Sequence, residues 1–153
     1  MQELVNRDTF HICGYTVETT AAQNDRDVSG LYEDFFDTGK EEILLSLRGS
    51  RKGYYGLSWY TQGRERYCYL LGVEVDKENV PPDNAMLKTL EQTTYAVAYY
   101  RRGKDILKAW TEFFFTDIPA KGYTPNEKYN LYFEYYPEDV HGDYELWVPV
   151  ISG

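Results

Sequence analysis

Cysteine and histidine are scarce in this chain of 153 residues, with two of each. Cys13 and Cys68 stand alone in strand-like runs, which reads as small buried hydrophobes rather than a disulfide, a metal site or a nucleophile. His11 and His141 share no spacing motif with them, so no zinc or other metal is expected. A glycine-rich phosphate loop is missing, and nothing in the sequence calls for a cofactor. Long apolar runs are missing too. No stretch is long enough to span a bilayer, and residues 1–8 lack the basic start and apolar core of a secretion signal. The expected setting is a reducing cytoplasm, with no membrane partner. Basic residues are in the minority, 16 against 25 acidic, for a formal net charge of −9. That charge repels a phosphate backbone, and no basic cluster is longer than Arg101-Arg102, so direct nucleic-acid binding is set aside. A negative field does raise the local concentration of cations.

Aromatic residues are what the chain has in abundance: 16 Tyr, 7 Phe and 3 Trp, or 17%. Large rings give contact area at little rotamer cost, which suits a stacking cavity as well as an aromatic core. The most aromatic strand-like run, Leu131-Tyr132-Phe133-Glu134-Tyr135-Tyr136, holds one carboxylate and no basic neighbour. A buried acid must be hydrogen-bonded, pair with a cation or take up a proton. Glu134 is therefore the leading site candidate, its counter-charge either a ligand or replaced by a tyrosine hydroxyl that merely specifies the core.

Hydrophobic periodicity predicts a strand over residues 9–18, a helix over 27–36, and strands over 53–61 and 67–76 joined by a glycine-bearing turn at 62–65. Residues 38–49 carry a further short helix. After a proline-bearing connector at 77–91 the order recurs: strand 93–101, helix 104–116, strands 130–137 and 143–151. The helices match at a constant offset of 78, with Tyr32, Asp34, Phe35, Phe36 and Thr38 against Trp110, Glu112, Phe113, Phe114 and Thr116. This predicts an α+β fold: duplicated β-α-β-β units, repeat 1 over about 9–76 and repeat 2 over about 93–151, sharing one antiparallel-rich sheet with two main helices on one face. A groove between the helices is the natural ligand site. Tyr132, Glu134 and Tyr136 share one face of their strand, and Glu145, Trp147 and Pro149 share a face of the last.

Four segments carry a family resemblance: Tyr95-Ala96-Val97-Ala98; Lys104-Asp105-Ile106-Leu107-Lys108-Ala109-Trp110 with Phe113-Phe114; Phe133-Glu134-Tyr135-Tyr136; and Glu145-Leu146-Trp147-Val148-Pro149-Val150. Gly72-Val73-Glu74-Val75 and the proline connector match more weakly. In this order they resemble the GyrI-like effector-binding domain, also found fused to helix-turn-helix segments in multidrug-sensing regulators. The resemblance implies a pocket between helices and sheet, an acid at Glu134 that contacts lipophilic cations, and an aromatic at Trp147 that lines the pocket. Residues before position 9 carry no helix-turn-helix segment, so one stand-alone domain over 1–153 is expected.

Three functions follow. The first is binding of an amphipathic organic cation, with Glu134 as charge and Trp147, Tyr136 and Trp110 as walls, each ring worth about 0.5–2 kcal/mol. Trp59 is the corresponding candidate in the first half. Trp110 also lies on the stripe of Ile106, Phe113 and Phe114 and reads equally as core. The second is hydrolysis of strained electrophilic natural products, which some members of the resembled family perform; here Glu134 would activate water. The third is a protein-binding inhibitor module acting through its acidic surface. An open sheet edge leaves room for a second copy or another protein partner.

Overall fold

The computed structural model describes residues 2–62, 65–76, 80–129 and 131–152. Among the described residues nine strands carry the fold: β1 (Gln2–Arg7), β2 (Phe10–Thr20), β3 (Tyr54–Gln62), β4 (Arg66–Val75), β5 (Met86–Leu90), β6 (Thr93–Tyr100), β7 (Tyr123–Pro125), β8 (Tyr132–Tyr136) and β9 (Tyr144–Ser152). The helices are α1 (Asn24–Asp37), α2 (Lys40–Leu45), α3 (Ile106–Glu112) and α4 (Ile118–Ala120), with a π-helical turn at Phe113–Asp117 between the last two. Part of the expected 62–65 turn (Gly63, Arg64), part of the 77–91 connector (Lys77, Glu78, Asn79) and Asn130 lie outside the described residues.

The sheet runs β1-β6-β9-β8-β3-β4-β2-β5, with β7 paired to β9, and every described pairing is antiparallel. Read outward from the β3–β8 seam, the order is β3, β4, β2 on one side and β8, β9, β6 on the other. These are equivalent strands of the two β-α-β-β units, so the duplicated fold is present, with both main helices on one face.

Two strands that periodicity left out connect the units. β1 pairs with β6 of the other unit, from Gln2↔Ala98 to Arg7↔Thr93, and β5 pairs with β2, from Phe10↔Leu90 to Gly14↔Met86. The register continues unbroken through both ladders, so β1-β2 and β5-β6 behave as two long bent strands laid side by side. Their corners are tied by Asn6 Nδ2 donating to Thr94 Oγ1 (3.0 Å), and by Gln92 donating through its backbone N to Thr9 Oγ1 (3.2 Å) and through Nε2 to Asn6 Oδ1 (3.2 Å). This ladder bends the sheet on itself. Phe10 on β2 meets Phe133 on β8 with ring centroids 5.9 Å apart, although two strands lie between them. In a flat sheet three strand steps would separate them by about 14 Å.

The curled sheet buries one apolar cluster on each face. Inside the curl lie Phe10, Ile12, Tyr55, Leu57, Leu70, Leu90, Tyr95, Val97, Phe133, Tyr135 and Trp147. Arg7 enters this side with its guanidinium 3.5 Å from the Phe10 centroid, and its charge is matched by Glu74. The outer face carries the helices, which pack Leu31 and Phe35 of α1 and Ala109, Phe113 and Ile118 against Tyr15, Leu71, Ala96, Ala98, Leu146 and Val148. Alanine at 96, 98 and 109 lets the second-unit helix lie close to its strands. Asp105 caps α3 by accepting from the Leu107 backbone N (3.3 Å). Pro119 follows in the first turn of α4, and the chain widens into the π turn just before it.

Candidate functional site

Strand alternation on β8 sends Phe133 and Tyr135 into the curl and Tyr132, Glu134 and Tyr136 outward beneath the helices. β8 lies at the middle of the sheet, so Glu134 sits at the seam between the two units, opposite Gly56 of β3 and Leu146 of β9. Only 9% of its surface is exposed. Three side chains from three elements close on its carboxylate. Trp110 Nε1 of α3 donates to Oε2 at 2.9 Å, while Tyr69 of β4 and Tyr136 of β8 donate through their hydroxyls to Oε1 at 2.8 and 2.9 Å. Tyr32 of α1 completes the set, its hydroxyl 2.7 Å from that of Tyr69. Because Tyr69 has one proton and gives it to Glu134, Tyr32 is the donor in that pair.

These contacts set the electrostatics. Burial pushes the Glu134 carboxyl above its ordinary range, and the bonds from Trp110, Tyr69 and Tyr136 pull it part of the way back. Burial and then the Glu134 charge raise Tyr69, Tyr136 and Tyr32 well above the usual phenol range, so all three remain donors. No described Lys or Arg forms an ion pair with Glu134. The result is a carboxylate in an aromatic box, held by neutral donors only. More rings extend the box on the second-unit side: Tyr100 stacks on Tyr144 (5.4 Å, 23°), Tyr144 reaches Tyr136 (6.2 Å), and Phe114 meets Tyr132 edge-on (5.5 Å). Tyr144 also ties β9 to the start of α3 by donating to the Lys104 carbonyl at 2.8 Å. Among the described residues no group of His, Cys, Asp and Glu is arranged to hold a metal.

The five site residues expected from sequence therefore divide. Glu134, Tyr136 and Trp110 come together. Trp147 does not join them, because its register partner is Phe133, and directly paired strand residues point to the same side. It lies inside the curl, stacked on Phe133 (5.2 Å, 16°), with Nε1 donating to Glu145 Oε1 at 2.9 Å. Trp59 packs on the same inner face, under the Lys88 ammonium at 4.4 Å. Sequence reading missed Tyr69, Tyr32 and Gly56. Tyr32 had a signal, since it matches Trp110 at the offset of 78; the structure brings Trp110 to the carboxylate directly and Tyr32 to it through the Tyr69 hydroxyl, from opposite units.

The fold and the site together define a domain of two duplicated units with a buried carboxylate at their seam. Among solved structures, SAV2435 bound to tetraphenylphosphonium has the same fold (TM-score 0.80, 16% identity, 99% of this chain and 94% of that one). So do the integron cassette protein VCH_CASS2 from Vibrio cholerae (0.72, 14%, 98% and 95%) and the C-terminal domain of EcmrR (0.67, 10%, 100% and 98%). A sequence search of curated proteins finds no match. The family model Cass2, integron-associated effector binding protein, matches residues 3–150, and the chain belongs to that family. The GyrI-like resemblance read from the sequence is to this same class of domain.

Proposed function

We propose that the protein binds amphipathic organic cations at the seam between its two units, with Glu134 as counter-charge and Trp110, Tyr136, Tyr69 and Tyr32 as aromatic walls. One observation carries this reading: a buried carboxylate at the centre of the sheet is held by three neutral donors and no cation. A cation 4 Å away gains about 4 kcal/mol of gross attraction at an effective dielectric near 20. Each ring face adds about 0.5–2 kcal/mol. Trp110 and Tyr32, one from each unit, are the partly buried members of the set, so the ligand enters between them and takes the place of Trp110 at Oε2. A related protein bound to tetraphenylphosphonium, a cation of this class, supports the choice of ligand. Binding is preferred to hydrolysis because both carboxylate oxygens are already engaged by protein donors. Trp147 and Trp59 act as core on the opposite face.

The test is a thermal-shift and calorimetric comparison of tetraphenylphosphonium with neutral triphenylphosphine oxide, in wild type and Glu134→Gln. The proposal expects the substitution to weaken the cation much more than the neutral compound. Equal losses for both would remove the electrostatic role of Glu134.

A further inference from the structure

A glycine in the middle of a sheet has to be explained, since it weakens a strand and packs no side chain. Gly56 sits in the middle of β3, at the centre of the sheet, and it is not among the glycines with a left-handed backbone. Conformation does not require it; space does. A Cβ built on Gly56 would lie 2.1 Å from the Tyr69 hydroxyl oxygen, 2.8 Å from Tyr69 Cζ and 2.7 Å from Glu134 Oε1.

The register shows why. Tyr69 on β4 pairs with Ser58 of β3, while Glu134 on β8 pairs with Gly56 of β3. β4 and β8 flank β3, about two strand spacings or ~10 Å apart, so the Tyr69 ring must cross the outer surface of β3 to reach Glu134. It crosses over Gly56. Gly56 is also the duplication counterpart of Glu134, because 134 and 56 differ by the same 78 that relates Trp110 to Tyr32. A second acid on the first unit would face Glu134 directly, and a side chain of any kind would occupy the path of Tyr69.

We infer that Gly56 is a positioning residue for the cation site: glycine at this one place lets Tyr69 reach from the first unit across the seam and donate to Glu134 of the second. Gly56 acts through Tyr69, so its substitution and the loss of the Tyr69 hydroxyl have the same effect on the carboxylate. Both deprive ionised Glu134 of a donor and shift its titration upward. This inference rests on the cation-binding reading for its consequence in affinity, but not for its geometry.

The experiment is a ¹³C NMR titration of the Glu134 side-chain carboxyl in wild type, Gly56→Ala, Tyr69→Phe and the double variant, with tetraphenylphosphonium titrations alongside. Both single variants are expected to raise the Glu134 midpoint, the double variant to raise it no further than either, and both to bind the cation about tenfold more weakly below the wild-type midpoint. A folded Gly56→Ala protein with an unchanged midpoint overturns the inference, as does Tyr69→Phe with an unchanged midpoint. Should Gly56→Ala fail to fold, Tyr69→Phe decides alone. If wild type binds no tetraphenylphosphonium, the functional reading fails while the NMR midpoints still decide the role of Gly56.

Discussion

Replacing Glu134 by Gln should change both the stability and the ligand affinity of this protein, with opposite dependences on pH. Burial raises the Glu134 carboxyl in the folded state above its unfolded value. The fold therefore favours the protonated form, and this contribution to stability is fully present below the unfolded carboxylate value of about 4.3 and lost as pH rises through the folded midpoint. A bound cation prefers the ionised form, so its affinity rises over the same window. Wild type minus Glu134→Gln isolates these slopes from those of the other acids, including Glu145, which is also raised by burial. The affinity term can be estimated. About 4 kcal/mol of gross attraction, less roughly 2 kcal/mol for the charge-assisted bond to Trp110 that must break, leaves about 2 kcal/mol, or roughly 30-fold in Kd. Calorimetric titration of tetraphenylphosphonium between pH 4 and 8, with melting curves of the free proteins at the same pH values, measures both. A wild-type affinity that is flat with pH, or an apo stability difference that grows in favour of wild type as pH rises, would refute the reasoning.

Other expectations are simpler. Trp110→Phe keeps a ring but removes the donor to Oε2, so urea denaturation should show a loss of about 1–2 kcal/mol while tetraphenylphosphonium affinity, at pH values where Glu134 is ionised, rises by up to about 30-fold, because the bond of roughly 2 kcal/mol to Glu134 no longer has to break. Trp147→Ala opens a cavity inside the curl and should cost about 3–5 kcal/mol, yet its folded fraction should bind the cation within about threefold of wild type. A large and selective loss of cation affinity in Trp147→Ala would place the ligand on the inner face. Arg7→Ala leaves Glu74 in a mostly buried setting without its cation and should destabilise by about 2–4 kcal/mol in chemical denaturation, with no change in ligand affinity.

Much of this architecture is legible in the sequence because its signals are local. The alternation of β8 and the stripe of α3 follow from periodicity, and the offset of 78 relates the two units without any structure. Glu134 stands out in the sequence because an acid without a basic neighbour inside an aromatic strand is a chemical oddity. The relation between strands was not legible. Trp147 enters the candidate set through the family resemblance and its place beside Glu145 on the last strand, but only the Phe133↔Trp147 register tells that it faces away from Glu134. β5 follows prolines and β1 is a mostly polar six-residue strand, so neither shows a clean pattern, and each is stabilised by a partner more than about 70 positions away. Tyr69 reaches the site by leaning over Gly56, a path that depends on three strands at once.

A crystal structure of the protein with tetraphenylphosphonium tests the central claim most directly. The account predicts the phosphorus centre at the seam on the helix-bearing face, beside the Glu134 carboxylate, with the Trp110 indole displaced from Oε2. A ligand lodged inside the curl against Trp147 and Phe133, with the Trp110–Glu134 bond intact, would contradict it.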